Sequence, residues 1–170
     1  FKYPADWEIR ARPCRGCRQQ DDRHATWGIH IAKGLMIAQF RMDLQDDEER
    51  HKGLHTRTVL ERTPMESGFA KPAEVVFEHM AIDVTGQDER QKVLLMLNDT
   101  ASTNRRHERP MWSVFYSRGD FTSSLTSTDG FPKMLGYDED HVSLEDARAI
   151  MRSNEYRQLR TLMLSVRAQT

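Results

Sequence analysis

An α+β architecture, an antiparallel sheet with short helices, is predicted by three features of this chain. Several stretches alternate apolar and polar residues at the period of a strand. Turn-forming residues separate those stretches at short intervals. The C-terminal third carries apolar residues at helical spacing behind a capping signal.

The elements follow in order. Residues 1–20 read as irregular and polar, broken by Pro4, Pro13 and the turn from Cys14 to Cys17. Asp21 and Asp22 suit a helix N-terminus, and Trp27, Ile31 and Gly34 mark a short helix ending at Gly34. Leu35 to Leu44 fits a strand, followed by a charged turn over Gln45 to Arg50. Leu54 to Thr63 alternates again and should stop at Pro64. Val75 to Ile82 is the next strand. Asp83 or Thr85 can then cap a helix over about Asp88 to Asn98, with Val93, Met96 and Leu97 on one face. Ala101 to Pro110 reads as a linker. Trp112 to Tyr116 and Phe121 to Leu125 form a hairpin around Arg118-Gly119-Asp120. Ser143 with Asp146 is a capping-box pattern opening a helix with Leu144, Ala147, Ile150 and Met151 on one face. Leu159, Leu162, Met163 and Val166 continue helical spacing, although Tyr156 to Arg167 also fits a strand.

Composition narrows the function classes. The chain has 170 residues, enough for one domain or two small ones with a real core. Its 38% hydrophobic and 30% charged residues describe a surface-rich protein. A net charge of −1 with interspersed signs gives neither a nucleic-acid footprint nor a polybasic membrane patch. No apolar run approaches the length of a membrane span and no signal-peptide pattern opens the chain, so a cytoplasmic location is expected. Phe1 in place of a methionine suggests an excised fragment. Two cysteines do not make a disulfide scaffold.

The order of elements resembles the PAS superfamily. Residues 109–141 are similar to the opening of a PAS domain: two strands around a Gly-Asp turn, then Asp129-Gly130-Phe131 and Met134-Leu135-Gly136-Tyr137 followed by acidic residues. Residues 3–85 resemble the later part of a PAS domain of the LOV type. Glu8-Ile9, Arg12 and Cys14-Arg15 look like the phrase E-I-x-G-R-N-C-R, with Ala11 and Pro13 departing from it. Arg50, Gly53, Leu60 and Pro64 fit a second LOV phrase, and Ile82-Asp83-Val84-Thr85 looks like the end of the last strand. The resemblance therefore implies a PAS-like unit over 1–87 lacking its opening strands, a connecting amphipathic helix and linker over 88–108, and over 109–170 either the front of a second unit or strands completing the first.

The implied function is a sensory or protein-interaction module of a signalling protein. A change at the sheet would pass through Asp83 and Thr85 into the helix, whose Val93, Met96 and Leu97 would meet a protein partner or a second copy. The positions matching LOV flavin contacts are Cys14, Arg15, Glu48, Thr58 and Ala81. Glu48, Thr58 and Ala81 replace side-chain amides. An ionised glutamate only accepts and an alanine does neither, so FMN binding is disfavoured. A blue-light photoreceptor is thus the lesser form of this expectation.

A different class of function rests on Cys14, Cys17, His24 and His30, donor types that suit tetrahedral zinc in a small zinc-stabilised binding protein. The interval from Cys17 to His24 is shorter than in ordinary zinc fingers. His51 and His55, and the acids Asp46, Asp47 and Glu48, read as solvated. No phosphate loop or nucleophile elbow is present, and no enzyme is expected.

Overall fold

A computed structural model of the chain describes residues 4–12, 26–31, 34–42, 55–66, 68–82, 89–101, 115–118 and 121–167. Among them are β1 (Trp7–Arg12), β2 (Thr26–Ile31), β3 (Met36–Met42), β4 (His55–Met65), β5 (Ala73–Ile82), β6 (Arg90–Asp99), β7 (Phe115–Arg118) and β8 (Phe121–Ser127). Three helices follow, α1 (Gly130–Met134), α2 (Leu144–Met151) and α3 (Asn154–Leu164). The strands form one sheet in the order β1-β2-β3-β8-β6-β5-β4, with β7 paired to β8, and every named pairing is antiparallel. The α+β class with an antiparallel sheet and short helices is therefore the observed one.

The connecting helix is not. Residues 90–99 are a strand, in unbroken register with β5 from Ala73↔Asp99 to Ile82↔Arg90. The run Val93 to Leu97 is buried on both sides, from 0% to 9% exposed, because apolar cover lies on each face of the sheet. A continuous apolar run carries no period to separate a strand from a helix, so the i, i+3, i+4 match was coincidental. Val93 and Leu97 join the large core while Met96 faces the other way.

Three smaller corrections concern β1, β2 and β4. Residues 26–31, read as part of a helix, are strand β2, held between β1 and β3. Residues 7–12, read as irregular, are β1, whose Trp7 is 6% exposed in the core. β4 does not stop at Pro64 but runs on to Met65, which is tolerable because β4 ends the strand order and a missing amide costs least on an edge.

The junction between the two halves of the sheet is β8. It pairs with β3 over Ala38↔Ser127 to Met42↔Ser123, and with β6 only at Met96↔Thr126 and Leu97↔Leu125. Leu125 is buried between them. The Thr128-Asp129-Gly130 turn then seats against β3: the Thr128 amide donates to Ile37 O at 2.9 Å and its hydroxyl donates to Met36 O. A Cβ on Gly130 would fall inside the Met36 carbonyl, so this glycine is required for close approach. Gly136, at φ 86°, stops α1 with its amide donating to Lys133 O at 3.0 Å.

The helices follow their caps. The Ser143 hydroxyl accepts from the Asp146 amide at 3.1 Å while Asp146 Oδ2 accepts from the Ser143 amide at 3.2 Å, the expected capping box. Ser153 accepts from the Tyr156 amide at 3.0 Å and starts α3, so the Tyr156 segment is helical rather than extended. Ala147, Ile150, Leu159, Leu162 and Met163 pack with Phe77, Leu95 and Leu97 on one face of the sheet.

Candidate functional site at the sheet to helix joint

The helices meet the sheet through polar links gathered at one corner. There β6 has not yet reached its short contact with β8, and among the described residues no strand pairs with its start on that side. The loop before α2 takes that place. The Gln91 amide donates to Asp140 O at 2.7 Å, and the Val142 amide donates to Gln91 O at 2.8 Å. One strand inward, the ring of His79 lies 2.9 Å from the Val142 carbonyl, so Nε2 carries the proton and donates. His79 is 8% exposed.

Lys92 supplies charge to the same corner. It shares its strand face with Leu94 and Met96, and its ammonium reaches Asp129 at 3.1 Å and Asp140 at 3.0 Å. Asp129 stands immediately before α1, and Asp140 three residues before the α2 cap. Burial alone would lower the Lys92 ammonium, but hydrogen bonds to Asp140 and Asp129 outweigh it and hold it above its ordinary range. The same bond to Lys92 holds the Asp140 carboxyl below the usual carboxylate range. Asp138 braces the loop from within, accepting from the Asp140 amide and facing His141 Nδ1, both at 3.0 Å. Lys133 in α1 reaches Glu139 at 3.0 Å. One lysine, one histidine and one backbone pair thus tie β5 and β6 to the starts of two helices.

A second polar group pins α3 to the edge strand. The Tyr156 hydroxyl donates to Glu61 Oε2 at 2.7 Å, Arg160 pairs with Glu61, and Arg160 also donates to the Thr63 hydroxyl at 2.8 Å. Burial would raise the Glu61 carboxyl, but its hydrogen bonds from Tyr156, Arg160 and Thr63 win and leave it below its ordinary value. Burial and the Glu61 carboxylate push the Tyr156 phenol far above its usual range. The space between sheet and helices is filled here: the Phe77 and Tyr156 rings meet edge to face at 4.9 Å between centroids.

The residues expected to carry function are scattered relative to this corner. Cys14, Arg15, Cys17, His24, Glu48, Asp83 and Thr85 lie outside the described residues. His30 stands in β2 opposite Glu8, with its side chain outside the described set. Thr58 is exposed on β4 opposite His79, and Ala81 is half-buried on β5 opposite Thr56 and Gln91. Val93, Met96 and Leu97 are interior residues of the sheet. Among the described residues no group of three His, Cys, Asp or Glu is placed to hold a metal ion. No helix among them is long and apolar enough to cross a membrane.

Sequence reasoning passed over Lys92 and Asp140. The usable signal was a single lysine opening an apolar run, with an acidic triplet, Asp138-Glu139-Asp140, ahead of a helix cap. No protein-family model matches this chain, and comparison with curated proteins and with solved structures finds no match to either.

Proposed function

We propose that the chain is a sensory or protein-interaction module of the PAS type within a signalling or regulatory protein. The observation that carries this reading is the joint itself. An antiparallel sheet bears short helices on one face, and Lys92, Gln91 and His79 link strand positions directly to the residues that start α1 and α2. A module that passes a change from its sheet to its helices needs such a connection.

Beside Asp83 and Thr85, which lie outside the described residues, the end of β6 offers an outgoing route. β6 ends at Asp99, and the backbone turns helical at Thr100 and Ala101. The Thr100 amide and hydroxyl both donate to Pro72 O, at 3.0 and 3.3 Å, fixing the exit against the start of β5. β6 is thus a strand that ends in an acid and leads into helical backbone. The filled space around Phe77, Tyr156, Leu159 and Leu162 favours protein interaction over flavin binding as the form of this function.

An absorption spectrum and a metal assay on the purified chain test the reading. No flavin band and no stoichiometric zinc are expected. A yellow protein that bleaches reversibly under blue light, and ceases to in Cys14→Ala, would replace it with a photoreceptor. Stoichiometric zinc whose removal lowers the melting temperature would replace it with a zinc-stabilised binding protein.

A further inference from the structure

The arginines of this protein divide into two groups. Arg10, Arg57, Arg62, Arg90 and Arg160 each reach a carboxylate. Arg41 reaches the Gln39 amide, and Arg167 reaches backbone carbonyls. Arg148, Arg152 and Arg157 are exposed, and among the described arginine side chains these three alone have no hydrogen bond or ion pair. All three lie within ten residues on the α2–α3 hairpin.

Intrahelical electrostatics does not account for this arrangement. Arg148 and Arg152 stand at i, i+4, where like charges repel. Their place at the end of α2 suits the helix dipole, but Arg157 falls within the first four residues of α3, where a cation meets the positive end. Met151 sits half-buried three residues after Arg148 and beside Arg152. Three exposed guanidinium groups on one hairpin, uncommitted among the described residues, have the chemistry of a carboxylate-binding surface.

We propose that Arg148, Arg152 and Arg157 form a docking site for a short acidic segment of a partner protein. Nucleic acid fits less well. The chain carries a net charge of −1, and Glu145, Asp146 and Glu155 interrupt the basic residues on the same hairpin, which would repel an extended phosphate backbone. A short acidic peptide can pair with the arginines and leave those acids in water. The site stands independently of the PAS reading.

Fluorescence anisotropy on the full chain tests it. The probes are a fluorescein-labelled oligoglutamate peptide, an oligoglutamine peptide of equal length, a short DNA duplex and phosphatidylserine vesicles. Oligoglutamate alone should bind, more weakly as sodium chloride rises. The variant R148Q/R152Q/R157Q should bind it about tenfold or more weakly with an unchanged melting temperature, since no partner among the described residues is lost. R148K/R152K/R157K should bind more weakly than the unmodified chain and more tightly than the glutamine variant, and Glu145→Lys should strengthen binding. Absence of oligoglutamate binding at low salt, equal binding by the glutamine variant, or tighter binding of duplex or vesicles would overturn the proposal.

Discussion

The two faces of β5 and β6 are built from different materials. On the helix side, Ala73, Val75 and Phe77 meet Val93, Leu95 and Leu97 in a large core completed by α2 and α3. On the other side, Val76, Met80, Leu94 and Met96 form a small cluster, with two carboxylates of β5 beside it. Glu74 is gripped by two nitrogens of Arg62, at 2.6 and 3.0 Å, and Glu78, at 0% exposure, pairs with Arg57. The helix face is held by area. The other face adds charge pairs between β4 and β5 that fix one strand against the next, since a buried carboxylate separated from its partner is costly.

Breaking each face in turn should expose that difference. The largest loss is expected from Phe77→Ala, which removes a ring packed on Tyr156 and leaves a cavity: about 3–5 kcal/mol by urea unfolding. Glu78→Gln should cost about 3 kcal/mol because it removes the charge that pairs with the part-buried Arg57 guanidinium. That loss should shrink in the double variant Arg57→Met/Glu78→Met, as no partner rescue of Phe77→Ala would do. Equal costs in the single and double variants would mean the pair is not what orders β4 on β5.

Gly130→Ala sharpens the picture where the sheet halves join, costing about 1–3 kcal/mol as its methyl displaces the Met36 carbonyl. The smallest effect belongs to Glu61, which is partly exposed, so its contribution stays within about 1 kcal/mol. Its carboxyl is held below the ordinary value of 4.5, so the stabilisation is complete above that pH and fades as pH falls through the depressed value. Glu61→Gln should therefore flatten the acid limb of a stability-against-pH curve just below that range, and an unchanged limb would show that the Tyr156–Arg160 network does not act on folding.

The same contrast explains what could be read from sequence. The capping box at Ser143 and Asp146 was legible because a cap is a local agreement among four residues. The hairpin of β7 and β8 was legible from its turn. β6 was not, because a strand buried on both faces loses its alternation. Glu74 and Glu78 would ordinarily mark a solvent face, yet here they mark a buried one, since their partners Arg62 and Arg57 arrive from a neighbouring strand. The joint was hidden for a similar reason: Lys92 and Asp129 are 37 residues apart in the chain and meet only after β6 and β8 have found their places.

The central claim is that the sheet is wired to the starts of α1 and α2 at Lys92, while the charge pairs of Arg57 and Arg62 join only strands. Hydrogen exchange of Lys92→Met beside Arg62→Met, each against the unmodified chain, tests it most directly. Lys92→Met should speed exchange at Gln91 and Val142 and along 144–151, beyond the site of substitution. Arg62→Met should speed exchange in β4 and β5 and leave 144–151 unchanged. Faster exchange in α2 from both variants, or from neither, would contradict it.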